Sequence, residues 1–147
     1  MAVSPTPRYL LDTNILIAYI RANVLGQWIE TTYHLTTAAT VPLICIVAQG
    51  ELHSLAKQFN WGANKVKQLD QLLQRFVVVN LDTPNMIDTY AQLDDYSRRN
   101  GVSMGKNDLW IAASAAITGS RLLTTDKDFD HLDPKFLSRD YIDPTTT

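Results

Sequence analysis

The sequence is poor in cysteine and has no long apolar run. It contains a single cysteine, Cys45, which excludes an internal disulfide and a cysteine-rich zinc site because both need several thiols. Chains without disulfides are typical of reducing compartments. The strongest apolar runs, residues 15–20 and 43–48, are far shorter than the roughly 20 residues that a membrane-spanning helix requires. We therefore expect no membrane association.

We also expect no secretion signal at the N-terminus. Residues 1–8 contain two prolines and no apolar stretch, whereas a signal peptide needs an apolar segment of about 7–15 residues. Together with the single cysteine, this predicts a cytoplasmic location.

The chain has no excess of basic residues. Lys and Arg total 13 against 15 Asp and Glu, which gives a formal net charge of −2. A domain that coats nucleic acid usually has a pI above about 9, so contact with a polyanion would need a local basic patch or a bound cation. The 147 residues, 46% of them hydrophobic, suffice for one domain with its own core. We expect a single domain over 1–147, with a core at about residues 8–143.

Short apolar runs alternate with segments of helical periodicity. Strands are predicted at residues 9–11, 43–47, 76–79, 121–124 and, more weakly, 141–142. Helices are predicted over 14–21, from 48 onward, over 60–75, from 83 to about 100, and over 108–118. Thr83-Pro84 and Asn107 supply two of the helix starts, whereas residues 24–40 show no distinctive signal. Apolar strands between helices are typical of a parallel sheet covered on both faces. The predicted fold class is α/β, a three-layer α/β/α sandwich with a central, mainly parallel sheet.

Four acidic residues stand where predicted strands end or the following helices begin: Asp12, Glu51, Asp108 and Asp126. Carboxyl ends of parallel strands share one edge of a sheet, and sites in open α/β sheets form there. Each acid alone also has an ordinary structural explanation. Asp12 and Asp108 are suited to helix N-termini, and Asp126 is suited to an Asx turn with Asp128 as a surface companion. Four such acids at strand ends are harder to explain in that way.

Several carboxylates gathered at one edge would repel each other, and at least one pKa would rise unless a cation balanced the charge. Mg²⁺ meets this need because it prefers oxygen ligands and keeps several waters, so one or two direct carboxylates suffice. The remaining acids then hold its waters. Such a cation also makes an acidic hollow accessible to an RNA phosphate, and it activates water against a phosphodiester.

The segments around these acids resemble the motifs of PIN-domain proteins. Residues 9–17 (YLLDTNILI) resemble the opening strand motif, 49–52 (QGEL) the second acidic motif, 105–115 (GKNDLWIAASA) the third, and 123–129 (LTTDKDF) the fourth. Gly50 is a small departure, standing where a bulkier residue would be unsurprising. Order and spacing cover about residues 9–130, and the size is similar to that of VapC-type toxins of bacterial toxin–antitoxin pairs.

This resemblance implies a PIN-like fold and a Mg²⁺-dependent endoribonuclease, in which Mn²⁺ is able to substitute. It implies inhibition by a VapB-like antitoxin, an RNA substrate and a homodimer. The residues that take the four acidic positions are Asp12, Glu51, Asp108 and Asp126. Of these, Asp12 and Asp108 are the expected direct metal ligands. Thr13 is expected to orient Asp12 through its hydroxyl, and Lys106 to support RNA binding beside the site.

Other basic residues carry a weaker signal. The stretch with Lys57, Lys65, Lys67 and Arg75 holds only Asp70 as an acid. It is consistent with an RNA path, because phosphate contacts supply most nonspecific affinity, and equally with a solvated helix face.

Three rival functions remain open at this point. A haloacid-dehalogenase-like phosphatase would use a strand-end aspartate as nucleophile, but it needs a second acid where Asn14 stands. A non-catalytic RNA- or protein-binding PIN module would not need all four acids. A receiver-type signalling domain would need a lysine after a late strand, and Asp126-Lys127 matches that pattern poorly.

Overall fold

The computed structural model describes residues 7–146, so most of the N-terminal segment (1–6), for which no secretion signal is expected, lies outside it. Within the described residues the chain forms six α-helices, one 3₁₀ helix and five strands. In chain order they are β1 (Tyr9–Leu11), α1 (Thr13–Arg21), α2 (Val24–Tyr33), β2 (Leu43–Cys45), α3 (Ile46–Gln58), α4 (Ala63–Leu73), β3 (Val77–Val79), α5 (Met86–Arg99), α6 (Lys106–Thr118), β4 (Arg121–Thr124), the 3₁₀ helix (Lys127–Leu132) and β5 (Ser138–Tyr141).

The five strands form one sheet in the order β3-β2-β1-β4-β5, and every neighbouring pair is parallel. Strand β1 lies at the centre of the sheet, with β2 paired on one side and β4 on the other. Its register places Leu11 beside Ile44 on one side and beside Leu123 on the other. The carboxyl ends of β1, β2 and β4 therefore meet at one edge, next to the point where the strand order reverses.

The sheet is covered on both faces, which confirms the three-layer α/β/α prediction. Successive strand residues point to opposite faces, so Leu10 joins the core under α5 and α6, whereas Leu11 joins the core under α1 to α4. Cys45 is fully buried at the end of β2. Of the helices that the structure describes, none has both the length and the hydropathy needed to cross a bilayer.

Several predicted boundaries are wrong, each for a local reason. The second strand ends at Cys45, because α3 already begins at Ile46. Helix α5 begins at Met86 rather than at Thr83-Pro84. The Thr83 hydroxyl donates to the Asn80 carbonyl (2.6 Å) and closes a turn before the helix.

Two further starts differ from the sequence prediction. Helix α6 has Gly105 at its N-cap, and Asn107, the predicted cap, lies inside its first turn. Residues 24–40 contain the ten-residue helix α2, which was not predicted. A signal was present, because the Asn23 side chain accepts a hydrogen bond from the Gly26 amide (2.9 Å) and caps that helix.

Candidate functional site

Asp12 is fixed at the carboxyl end of the central strand. It follows β1 directly and caps α1, where its Oδ1 accepts a hydrogen bond from the Thr13 amide (2.8 Å). Its Oδ2 accepts a second bond from the Thr124 hydroxyl at the end of β4 (2.7 Å). Only 3% of Asp12 is exposed to solvent, so this carboxylate has few orientations open to it.

Thr13 acts on a different acid from the one that we predicted. Its hydroxyl donates to Glu51 Oε1 (2.6 Å), whereas only its backbone amide binds Asp12. The expectation that the Thr13 hydroxyl orients Asp12 is therefore wrong. The physical reason is position: at the first residue of α1, the Thr13 side chain faces α3, which carries Glu51. Thr124, which the sequence did not single out, supplies the hydroxyl to Asp12.

The other two acids enter from the opposite side of the strand ends. Asp108 lies in the first turn of α6. Asp126 follows β4 and caps the 3₁₀ helix, accepting the Asp128 amide at Oδ1 (2.9 Å) as in an Asx turn. One carboxylate oxygen from each of Asp108, Asp126 and Asp128 lies within 4.8 Å of the others. Asp128 is exposed, as expected for a surface companion of Asp126, yet it also adds a third carboxylate to this group.

One open cavity of about 690 Å³ joins all four predicted acids. Its walls come from α1, α3, the start of α6 and the end of β4, and its lining includes no Lys, Arg or His among the described residues. Amide side chains also reach it, those of Asn14, Gln58 and Asn107. Lys106 is exposed at the first residue of α6 and does not belong to this lining.

The crowding of acids changes their protonation. Burial is the largest cause that raises the pKa of Asp12, to about 6, and the charges of Asp126 and Glu51 add to it, while the bonds from Thr124 and Thr13 act in the opposite direction. Burial also raises the pKa of Asp108, to about 7, and here the neighbouring carboxylates of Asp12 and Asp126 are the next causes. The site thus holds negative charge at neutral pH only at an energetic cost.

This donor set suits a hard divalent cation. The cavity offers carboxylate and amide oxygens, the ligand atoms that Mg²⁺ and Mn²⁺ take, and it contains no cationic side chain among the described residues that would compete. Asp12 and Asp108 are the two acids whose charged forms are most disfavoured without a counter-charge. A bound cation would restore both carboxylates to their ionised state.

Comparison with known proteins identifies a family and a fold that the chain shares. A family model described as PIN domain matches residues 9–135, and no curated protein matches the chain. Among solved structures, VapBC2 from Rickettsia felis bound to a DNA fragment from its promoter matches with a TM-score of 0.77 and 21% identity, over 90% of this chain and 97% of that chain.

Two more solved structures show the same fold. DNA-bound VapBC from Salmonella typhimurium has a TM-score of 0.75 and 20% identity, over 92% of this chain and 98% of that chain. VapBC-1 from nontypeable Haemophilus influenzae has a TM-score of 0.74 and 22% identity, over 90% of this chain and 96% of that chain. At these identities the likeness concerns the fold.

Proposed function

The chain belongs to the PIN domain family, and from this we propose that it is a divalent-metal-dependent endoribonuclease, the toxin of a VapBC-type toxin–antitoxin pair. The observation that carries the proposal is the single cavity in which Asp12, Glu51, Asp108 and Asp126 line the walls without a cationic side chain among the described residues. An acidic cavity of this kind requires a cation before an RNA phosphate is able to approach it.

We assign the metal to Asp12 and Asp108, with Glu51 and Asp126 holding its waters. When bound there, Mg²⁺, or Mn²⁺ in its place, would supply an activated water and positive charge against the phosphodiester. The chain's own part is orientation: the Thr124 hydroxyl and the Thr13 amide hold both oxygens of Asp12, and the Thr13 hydroxyl holds Glu51. In-line attack of that water on the phosphorus would break the bond to the 3′ oxygen and leave a 5′-phosphate and a 3′-hydroxyl.

Cleavage assays test the assignment directly. We expect the purified protein to cut RNA with Mg²⁺ or Mn²⁺ and to stop when EDTA is added. Asp108→Asn replaces the carboxylate by an amide of nearly the same size, so we expect the cleavage rate to fall by roughly 100-fold or more, at least the upper end of the loss for residues that only support a metal ligand.

Asp95→Asn is the matched control, because Asp95 is exposed on α5 and pairs only with Arg99 on the same helix among the described residues. Its cleavage rate should equal that of the wild type. If Asp108→Asn cuts as fast as Asp95→Asn, the nuclease assignment is wrong. If the protein binds RNA in EDTA but never cuts it with Mg²⁺, the result favours the non-catalytic binding module instead.

The matched solved structures are VapBC complexes, which supports a VapB-like antitoxin as the partner of this chain, and we propose a homodimer as its own assembly. The adjacent reading frame should encode a small DNA-binding protein. Co-expression of the two should give a complex on size exclusion and suppress the cleavage of RNA. A partner that binds without inhibiting cleavage would contradict the toxin–antitoxin proposal.

A further inference from the structure

A second, smaller cavity adjoins the acidic cavity along helix α1. It has a volume of about 370 Å³, and Asn14 and Ile17 line both cavities. Arg21 follows Ile17 by four residues on the same face of α1 and lines only the second cavity, which we call the Arg21 cavity. The two cavities share a wall, so a ligand longer than the acidic cavity is able to continue into its neighbour.

The charge of the lining reverses between the two cavities. Four carboxylates and no cationic side chain of the described residues line the acidic cavity, whereas the described lining of the Arg21 cavity contains one guanidinium and no Asp or Glu. Arg21 is exposed at the last residue of α1, and it forms no salt bridge with an acid of the described residues. Its guanidinium group is therefore available to an anionic ligand.

Two neutral hydrogen-bond donors line the Arg21 cavity beside this cation, the Asn14 amide and the Thr125 hydroxyl. Neither side chain has a hydrogen-bond partner among the described residues. Guanidinium, amide and hydroxyl groups are the side chains that contact phosphate oxygens of nucleic acids. An RNA chain continues on both sides of the bond that is cut, so a phosphate next to the one in the acidic cavity must lie close to its rim. The Arg21 cavity offers that phosphate an adjacent cation.

We propose that Arg21 is a substrate-binding residue whose guanidinium pairs with the RNA phosphate next to the one that is cleaved. The proposal rests on the ribonuclease function proposed above and adds to it the direction of the RNA path, from the acidic cavity along α1. Arg21 contacts no reacting atom in this arrangement. It holds the strand in register, while the acids and their cation act on the neighbouring phosphate.

Steady-state cleavage of one RNA of defined sequence with Mg²⁺ tests this contact. Arg21→Gln should raise KM by about 10-fold, the lower end for loss of a hydrogen bond to a charged group. It should leave kcat unchanged, because the contact is the same in the bound substrate and in the transition state. Arg21→Lys keeps the charge without the planar fork and should recover part of the loss. Arg99→Gln is the matched control, because Arg99 is exposed on α5 and lines neither cavity.

Fluorescence anisotropy with the same labelled RNA in EDTA separates this proposal from the proposed function, because it reports binding even if wild type does not cleave. Arg21→Gln should weaken binding and reduce the slope of log K against log salt by about 0.7 to 0.9, the value for one phosphate contact. A role limited to the end of α1, where a cation favours the helix, would leave that slope unchanged. Equal slopes for Arg21→Gln and Arg99→Gln overturn the proposal. So does a loss confined to kcat or to the complex with the antitoxin.

Discussion

Thr124 links two acids of the site through a single hydroxyl group. The oxygen donates to Asp12 Oδ2 (2.7 Å) and accepts the Asp126 amide (2.9 Å). It is fully buried, so both partners depend on it rather than on water. Thr124 and Asp12 are 112 residues apart in the chain, and only the pairing of β1 with β4 brings them together. For this reason the sequence around Asp12 indicated the adjacent Thr13, and not Thr124, as the residue whose hydroxyl orients it.

Thr124→Val should therefore lower the free energy of unfolding, by about 1–3 kcal/mol, because it leaves buried polar groups without a partner. It should also raise the pKa of Asp12 further, since the Thr124 bond opposes the effect of burial. Urea unfolding measures the first effect. Thr125→Val is the control, because the Thr125 side chain makes no hydrogen bond to another described residue, and we expect it to stay within about 0.5 kcal/mol of wild type. Equal values for the two variants would contradict the role of Thr124.

Helices α1 and α2 approach so closely that one position has room only for glycine. A Cβ atom at Gly26 would lie 2.3 Å from the Ala18 carbonyl oxygen, and real Cβ contacts are not that short. Gly26 is buried on α2. Ala18 is buried on α1, the helix that Asp12 caps and Thr13 begins. The contact therefore contributes to the position of the helix that begins at the site.

Gly26→Ala should force the two helices apart and lower the free energy of unfolding by about 1–3 kcal/mol, the usual cost of overpacking. Gly50→Ala on α3 is the control: a Cβ there meets no described atom within 4 Å. In that helix interior alanine should raise stability by up to about 1 kcal/mol. Thermal unfolding distinguishes the two. A stable Gly26→Ala would show that the helices separate without cost.

Across the whole molecule, the acidic cavity makes stability depend on pH and on metal. The pKa of Asp12 rises from 3.8 to about 6 on folding, so the folded protein binds that proton more tightly than the unfolded chain does. The contribution of Asp12 to stability is therefore most favourable at low pH and falls as pH rises from about 4 through about 6, where the folded carboxyl ionises. Asp108, with a pKa near 7, acts in the same direction. The cost from Asp12 is at most about 3 kcal/mol, at roughly 1.4 kcal/mol per pKa unit.

Mg²⁺ should reverse this cost, because it binds the ionised carboxylates of the folded state only. We expect Mg²⁺ to raise Tm more at pH 8 than at pH 5, where protons compete for Asp12 and Asp108. Thermal melts with and without Mg²⁺ at the two pH values measure this, and Asp108→Asn should remove most of the gain. An equal rise in Tm at both pH values would mean that the cation binds elsewhere.

The sequence alone determined the fold class and the four acids, because these depend on local patterns. Apolar runs between amphipathic segments predicted the parallel sheet, and strand-end acids predicted which edge carries the cavity. Asp12 at the N-cap of α1 and Gly119 at the end of α6 follow from local capping chemistry.

Only the tertiary structure decided which hydroxyl serves which acid, that Asp128 lies beside Asp108, and that α1 and α2 meet at Gly26. Such contacts join residues that are distant in the chain, and no local pattern encodes their distances.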